Sequence, residues 1–254
     1  MVDALQLSDI GLVLDFQNRG GWQHYPLPEH AAFKPDEQSK PAGYWAWGSI
    51  GVVGLAYNTN LVTAEQAPKN WKDALDPRWT DSITVKAATS GVQHDTWYML
   101  RKLYGDEYWQ QFSKLKPLSF DSWVQQFGRV IDGQDAIVHT AGYAPYLELK
   151  AKGAPLDFNF PPDGLPIDVG GIGIVAEPPH PHAARLFMDW LLGVPGQTAL
   201  VEEAFVYSPR ADVHPPAGAV PLESLKLLYP DDWEAFEKSH PQFVKDWNKI
   251  TGIR

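Results

Sequence analysis

Two short polar segments contain residues whose types and spacing suit the binding of an anion. The first, Thr89-Ser90-Gly91-Val92, joins a predicted strand to a predicted helix. Backbone N–H groups at a helix start lack an intrahelical partner, and a hydroxyl and a glycine beside them let a negatively charged group approach closely. The segment therefore predicts an anion site, with an ordinary helix cap by Ser90 as the alternative.

The second segment runs from His139 to Tyr143, at the carboxyl end of another predicted strand. Open α/β sheets place their ligands at such ends, so Thr140 and Tyr143 are predicted to supply a second polar contact. The alternative for Tyr143 is a buried ring whose hydroxyl has a protein partner.

His139 and His94 are the histidines of these two segments, and both are candidates for ligand binding. Either could also act as the general base of a hydrolase or isomerase. No Gly-x-Ser-x-Gly elbow, His-Glu-x-x-His motif, zinc spacing or P-loop accompanies them. The sequence therefore predicts neither an enzyme nor a cofactor.

Five further residues are candidates with a structural alternative each. Trp45 and Trp47 are two apart, so on a strand they share a face and could wall a binding cleft, or simply pack in the core. Asp168 could meet an ammonium group or cap a turn. Tyr207 and Arg210 lie in a Tyr-Ser-Pro-Arg loop that could bring a guanidinium to an anionic ligand, or form a surface salt bridge.

Composition excludes several classes of protein. The chain has 254 residues, a formal net charge of -10 and no cysteine. A basic patch for nucleic acid is absent, and so are disulfides and thiolate metal sites. No apolar run is long enough to span a bilayer, and the sequence opens without a basic and apolar leader, so we expect no direct membrane span.

The elements that must position these residues alternate between strand and helix, which predicts an α/β protein. Glycines between β-branched residues at 169–175 predict a buried strand that another backbone or a ligand can approach. Strands are predicted at 4–9, 43–58, 83–85, 136–138 and 169–175, and helices at 10–16, 68–75, 90–103, 121–131, 143–152, from 183, at 222–228 and at 231–250.

Helical spacing predicts which side chains of these helices are buried, and Gly193 is predicted as a left-handed cap. The predicted buried residues are Trp97, Leu100 and Leu103; Val124, Phe127 and Val130; Leu186, Phe187, Trp190 and Leu191; and Trp233, Phe236, Phe243 and Trp247.

Residues 173–192, read together with Pro-Gly-Gln-Thr-Ala-Leu at 195–200 and the Tyr-Ser-Pro-Arg loop, resemble the returning crossover of family 1 extracellular solute-binding proteins. The resemblance is closest to the iron(III)-type binding proteins of ABC importers, which carry a Thr-Ser-Gly motif that holds an anion or an acidic group of the ligand. Residues 89–91 match that motif. Iron-binding members have two adjacent tyrosines at the second segment, of which this chain keeps Tyr143. Iron(III) is a hard cation that needs several oxygen ligands, so one phenol is too few and the metal role of Tyr143 stays open.

This resemblance implies a two-lobed type II periplasmic-binding-protein fold with hinge strands. Lobe 1 would comprise 1–50 and 174–207, lobe 2 would comprise 58–168 and 208–254, and the hinges would lie near 47–57, 168–175 and 206–210. Members of the family begin with two further strand–helix units, so the first lobe is expected to be incomplete.

The resemblance also implies a function, which is binding without catalysis. The protein would hold a small anionic solute or a metal–anion complex in the cleft between its lobes and deliver it to an ABC permease of the inner membrane. Its location would be periplasmic or otherwise extracytoplasmic if the native N-terminus carries a signal peptide. Two alternatives stay open: a sensory or adaptor module on the same fold, and a truncated fragment that binds nothing.

Overall fold

The computed structural model describes residues 2–8, 10–34 and 37–253. Asp9, at the end of the first predicted strand, and the predicted lobe ends Met1 and Arg254 lie outside the described residues. The chain divides into two compact units. Unit 1 combines Met1–Gly51, Asp168–Leu222 and Asp232–Lys238, and unit 2 combines Val52–Ile167, Glu223–Asp231 and Ser239–Arg254.

Strands and helices alternate along the chain, so the predicted α/β class is confirmed. The strands are β1 (Ala4–Leu7), β2 (Ala46–Asn58), β3 (Ile83–Lys86), β4 (Leu118–Phe120), β5 (Ile137–Gly142), β6 (Leu156–Asn159), β7 (Leu165–Ile174) and β8 (Leu227–Leu228). The α-helices are α1 (Ile10–Asn18), α2 (Gly91–Tyr104), α3 (Asp106–Ser113), α4 (Trp123–Ile131), α5 (Tyr143–Ala151), α6 (Pro181–Leu192), α7 (Val194–Ala204) and α8 (Trp233–Thr251).

Unit 1 is built around β7, which pairs antiparallel with β1 so that Ala4 lies opposite Ile174. The glycines of β7 are needed for close packing. A side chain at position 173 would lie 2.4 Å from the carbonyl oxygen of Tyr44, and one at position 171 would lie 2.6 Å from Val13 of α1. The predicted approach of another backbone to this strand is therefore confirmed.

The predicted buried face of α6 is largely wrong. Leu186, Phe187 and Trp190 are 72%, 43% and 47% exposed, whereas Ala184 and Met188 are buried at 2% each, together with Leu191 and Leu192. The helix has apolar residues on both sides, and the side with the smaller residues packs against β7.

The predicted left-handed cap at Gly193 is also wrong. Its backbone is extended, at φ -76° and ψ 168°, and continues directly into α7. A side chain there would lie 2.7 Å from the carbonyl oxygen of Asp189, so the glycine serves a close approach instead of a positive φ.

Unit 2 contains three parallel strands whose carboxyl ends meet at one edge. β3 pairs in parallel with β4, with Lys86 opposite Phe120, and in parallel with β5, with Ile83 opposite Ile137. β5 and β6 each pair antiparallel with β2. Because each parallel strand is followed by a helix, the starts of α2, α4 and α5 lie at this same edge.

The core of unit 2 is rich in aromatic side chains. Of the predicted buried residues, Trp97, Leu100, Phe243 and Trp247 lie in this core, where Trp71 and Trp109 are fully inaccessible. Phe127 and Val130 of α4 are also buried, whereas Leu103 is 41% exposed and Val124 is 82% exposed, against prediction. In the part of α8 that belongs to unit 1, Phe236 is buried and Trp233 is half-buried.

The C-terminal part of the chain divides between the units differently from the predicted lobe bounds. Residues 208–222 and 232–238 belong to unit 1. Tyr207 pairs with Ile50 through its backbone, and its hydroxyl donates to the carbonyl of Val220 at 2.6 Å. These bonds hold the segment after 207 in unit 1.

Two predicted helices differ in the structure, and neither is a regular α-helix. Residues 222–228 form a single 3-10 turn at Leu222–Ser224, followed by β8, and 68–75 contain only the 3-10 turn Asp73–Leu75. Within the described part of the chain, no helix combines the length and apolarity that crossing a membrane requires.

Candidate functional site

Three helix starts at the carboxyl edge of β3, β4 and β5 form the candidate site in unit 2. α2 begins after Ser90, α4 after Ser122 and α5 after Gly142. The first N–H groups of each helix have no intrahelical acceptor, and the aligned peptide dipoles add partial positive charge there. An edge with three such starts favours a negatively charged group.

Ser90 occupies the cap position of α2, but its hydroxyl makes no capping hydrogen bond. Its backbone is extended, and its carbonyl accepts from the N–H groups of Gln93 and His94 at 3.0 and 3.2 Å. The ordinary hydroxyl cap is therefore not formed, in contrast to Ser122, whose side chain accepts from the N–H of Val124 at 3.1 Å. Ser90 is half-buried, and the anion site at this helix start stays a prediction.

Sequence reasoning missed a polar group at the ends of β3 and β4. Lys86, only 5% exposed, donates to the carbonyl oxygen of Asp121, and its ammonium lies 5.0 Å from the centre of the Trp123 ring. The Asp121 carboxylate accepts from the Thr89 hydroxyl. The signal was available, since Lys86 and Phe120 each end a strand and each precedes a turn into a helix.

A β-bulge in β5 brings the second predicted segment into this edge. Gly54 of β2 pairs with Ala141 and Ala56 pairs with Val138, so Leu55 lies opposite both His139 and Thr140. Thr140 has a φ of +56°. Its hydroxyl donates to Oε1 of Gln93 at 2.9 Å, and its carbonyl accepts from Nε1 of Trp123 at 3.1 Å.

His139 lies in the aromatic core of unit 2 and does not face solvent. Its Nε2 is 2.9 Å from the Tyr108 hydroxyl and its Nδ1 is 3.0 Å from the Thr140 hydroxyl. Burial lowers the pKa of His139 to about 3. The imidazole is therefore neutral at physiological pH, with both nitrogens engaged by protein groups.

His94 is likewise inside unit 2. Its Nε2 is 2.9 Å from the Ser239 hydroxyl, and its ring lies 4.9 Å from the rings of His240 and Phe243. Burial, and to a smaller extent His240, lower the pKa of His94 to about 3. Neither histidine is placed to take a proton from a bound solute.

Tyr143 begins α5 and is 3% exposed. Its ring packs against Tyr146 at 5.7 Å, Phe158 at 4.9 Å and Phe160 at 5.0 Å between centroids. This is the buried aromatic that the sequence left as the alternative. Within the described residues, no group of three or more His, Asp or Glu side chains is arranged to hold a metal ion.

The remaining predicted site residues belong to unit 1. Trp45 precedes β2 and donates to Oε1 of Gln17, and Trp47 packs edge-on against Trp233 at 6.3 Å. Both tryptophans are 6% exposed, so they pack in the interior of this unit. Asp168 is half-buried on β7.

Arg210 is also in unit 1 and its guanidinium is bound by protein groups on every side. Its Nε and Nη2 donate to the Asp212 carboxylate at 2.9 and 2.7 Å, and its Nη1 donates to Glu29 and, at 3.2 Å, to the carbonyl of Leu192. Hydrogen bonding to Asp212 raises the pKa of Arg210. The predicted contact with an anionic ligand is replaced by these ion pairs, because the side chain is only 4% exposed.

Replacing Arg210 with methionine is expected to lower the free energy of unfolding by about 1–3 kcal/mol, because it removes the hydrogen bonds that the buried guanidinium donates to two carboxylates and a carbonyl. Urea denaturation measures this loss. Arg78→Met is the control, since the exposed Arg78–Asp76 pair contributes at most about 1 kcal/mol. A fall in solute affinity with unchanged stability would instead return Arg210 to the binding site.

A recess of about 450 Å³ lies beside the candidate site in unit 2. Its lining is Ala87, Ala88 and Thr89 of the turn before α2, with Val244 and Asn248 of α8 and the C-terminal residues Gly252 and Ile253. The turn that ends at Ser90 therefore borders both the helix start and a space for the uncharged part of a small molecule.

Comparison with known proteins identifies related sequences. A family described as bacterial extracellular solute-binding protein matches residues 9–239. A curated relative, an uncharacterized protein of Haemophilus influenzae, is 27% identical over 173 residues, which are 63% of this chain and 49% of the relative. The matched part thus spans about half of that relative's length.

Solved structures share the fold at lower identity. Iron-bound HitA from Pseudomonas aeruginosa is 20% identical with a TM-score of 0.82, covering 98% of this chain and 82% of its own. The periplasmic binding protein AfuA from Actinobacillus pleuropneumoniae, solved with exogenous fructose-6-phosphate, is 20% identical with a TM-score of 0.87, covering 100% and 84%. These matches confirm the predicted fold class, a two-lobed periplasmic-binding-protein fold.

Proposed function

Because the chain belongs to the bacterial extracellular solute-binding protein family, we propose that it binds a small anionic solute outside the cytoplasm and delivers it to an ABC permease. Its role is binding and not catalysis. The two histidines that could serve as bases are buried and neutral at physiological pH, which supports this reading. The observation that carries the proposal is the start of α2, where Ser90 leaves its hydroxyl unused for capping.

The solute's anionic group binds at the N–H groups of Gly91 and Val92 and at the Ser90 hydroxyl. Three features support this assignment: the open first turn of α2, the two other helix starts at the same edge, and the cation of Lys86 at the end of β3. Helix dipoles and a nearby cation both stabilise a phosphate or carboxylate group.

A phosphate ester is the first candidate among anionic solutes. The recess of about 450 Å³ beside Thr89 offers room for a body attached to the anion. The structural relative AfuA was solved with fructose-6-phosphate, which makes sugar phosphates the natural first probes. Ferric complexes are the second candidate because HitA was solved with iron, but Tyr143 is packed among other aromatic rings.

The proposal predicts that Ser90→Ala weakens binding of a sugar phosphate by about tenfold, the loss expected for one hydrogen bond to a charged group. Isothermal titration calorimetry with fructose 6-phosphate, inorganic phosphate and ferric citrate measures the affinities. Ser113→Ala is the matched control, because that hydroxyl bonds the carbonyl of Gln110 at the end of α3, on the strand-entry side of β4.

Fructose 6-phosphate should bind more tightly than inorganic phosphate if the body of the solute also contacts the protein. Equal affinities of wild type and Ser90→Ala for every anion would overturn the assignment of the α2 start. Binding of ferric citrate alone, unaffected by Ser90→Ala, would favour the second candidate instead.

A further inference from the structure

Thr140 has an unusual backbone conformation, with a positive φ. The described chain has four non-glycine residues with positive φ, and of these Thr140 alone is completely buried. A β-branched residue avoids this region of backbone space, so the conformation persists only where surrounding contacts hold it. It coincides with the β-bulge opposite Leu55, and bulges re-aim side chains beside binding sites.

The bulge turns two neighbouring side chains toward the same interior. In a regular strand the side chains of His139 and Thr140 would point to opposite faces. Here both are fully buried, and Nδ1 of His139 lies 3.0 Å from the Thr140 hydroxyl. Nε2 of the same imidazole lies 2.9 Å from the Tyr108 hydroxyl, so His139 anchors Thr140 to the core of unit 2.

Thr140 contacts the starts of α2 and α4, and it lies three residues before the start of α5 in the chain. Its hydroxyl donates to Gln93, in the first turn of α2, at 2.9 Å. Its carbonyl accepts from Trp123, the first residue of α4, at 3.1 Å. Two residues later Gly142 begins the turn into α5, and a side chain there would lie 2.8 Å from the Trp123 ring, so α4 and α5 also meet at this point.

We propose that Thr140 is a positioning residue, which fixes the starts of α2, α4 and α5 relative to one another and thereby sets the affinity for the solute. It does not touch the solute, because its hydroxyl and carbonyl are both engaged within the protein. This revises the direct contact that the sequence predicted for Thr140. The consequence for affinity rests on the proposed function, whereas the consequence for the helix starts does not.

The test compares Thr140→Val with Thr140→Ser. Valine keeps the shape and the backbone cost of threonine but removes the hydroxyl, and serine restores it. Amide hydrogen exchange at residues 94–97, 126–129 and 146–149, the first amides of the three helices that have an acceptor one turn earlier, is measured together with the affinity for fructose 6-phosphate. Valine removes the hydrogen bond to Gln93 and also the contact with His139 that anchors Thr140. We therefore expect Thr140→Val to exchange about tenfold faster at the start of α2 and, because the carbonyl that accepts from Trp123 is no longer anchored, at the start of α4. It should bind the solute about tenfold more weakly. Thr140→Ser should stay within about threefold of wild type on the same scale.

Thr84→Val is the matched control for a merely structural effect. Thr84 is also completely buried in unit 2, but its hydroxyl donates to the carbonyl of Ile137 on the neighbouring strand at 3.4 Å and reaches no helix start. It should lower the melting temperature without faster exchange at the three helix starts. If Thr140→Val fails to fold, Gln93→Met removes the same contact from the α2 side, and exchange should then rise at α2 but not at α4.

The outcomes separate this inference from the proposed function. Binding of none of the anions by wild type would count against the proposed function, and the exchange comparison would still decide the role of Thr140. Unchanged exchange in Thr140→Val, or serine behaving like valine, would overturn the positioning role. Weaker binding with unchanged exchange would mean that the Thr140 hydroxyl touches the solute.

Discussion

Acidification from pH 7 to pH 4 is expected to lower the free energy of unfolding steeply, with His139 responsible for about 1.4 kcal/mol per pH unit below pH 6. Burial lowers the pKa of His139 in the folded protein to about 3, against an ordinary value of 6.5. Below pH 6.5 His139 therefore binds a proton in the unfolded chain but not in the folded protein. Its contribution to the free energy of unfolding is complete above pH 6.5 and is lost as the pH falls toward 3.

The surroundings of His139 explain why it resists protonation. Its ring lies 4.5 Å from Phe112, 5.2 Å from Trp71 and 5.6 Å from Trp109, and its two nitrogens contact the hydroxyls of Tyr108 and Thr140. A hydroxyl can donate or accept a hydrogen bond but carries no charge that would neutralise an imidazolium, so a charge there would be buried without compensation. His94, whose pKa is also lowered to about 3, adds a second contribution of the same sign.

Urea denaturation at pH 7, 6, 5 and 4 measures this dependence. His139→Gln should be less stable than wild type at pH 7, yet its stability should fall less steeply with acid, by about one proton per molecule in the slope. His182→Gln removes an exposed histidine and should leave the slope unchanged. An equal slope in wild type and His139→Gln would contradict the buried, neutral state of His139.

The alternation of strands and helices was predictable because it depends on local pattern and turn chemistry. The glycine-rich strand at 169–175 and the helix after Ser90 are two examples. The buried face of α6 was not predictable in the same way. Leu186, Phe187 and Trp190 lie on one side and other apolar residues on the opposite side, and a helix with apolar residues on two sides gives no single periodic face.

The structure brings the two predicted segments to one edge of the sheet, but the contacts within that edge were not predictable from the sequence. The Ser90 segment and the end of β5 were identified because ligands bind where strands give way to helices. The bulge at Thr140 depends on pairing with Leu55, which is 85 positions earlier in the sequence, and no local sequence pattern predicts it. For Arg210 the sequence left a ligand contact and a salt bridge open, and its partner Glu29 is 181 residues away.

Removal of the Trp109 side chain is expected to have the largest effect on stability. The ring is completely buried and lies 5.4 Å from Trp97, 5.2 Å from Trp247 and 5.1 Å from Tyr108. It joins α3 to α2 and α8 in the core of unit 2. Trp109→Ala should cost about 3–5 kcal/mol of unfolding free energy, from the lost burial and the cavity that remains.

Two variants show whether packing is the cause of this loss. Trp109→Phe should cost less than Trp109→Ala, because it keeps an aromatic ring and removes an indole N–H that has no hydrogen-bond partner among the described residues. Trp190→Ala, at an exposed tryptophan of α6, should change the free energy of unfolding by less than about 1 kcal/mol. A loss below about 1 kcal/mol in Trp109→Ala would contradict the role of the ring in the core.

The same variant links stability to binding. A solute that binds only the folded protein adds about 2.7 kcal/mol at a hundred times its dissociation constant, which would offset more than half of the expected loss in Trp109→Ala. The melting temperature of this variant should therefore rise on addition of fructose 6-phosphate, whereas a variant that also carries Ser90→Ala should respond only at about tenfold higher concentration. Rescue that is equal in both variants would mean that the solute stabilises unit 2 from somewhere other than the start of α2.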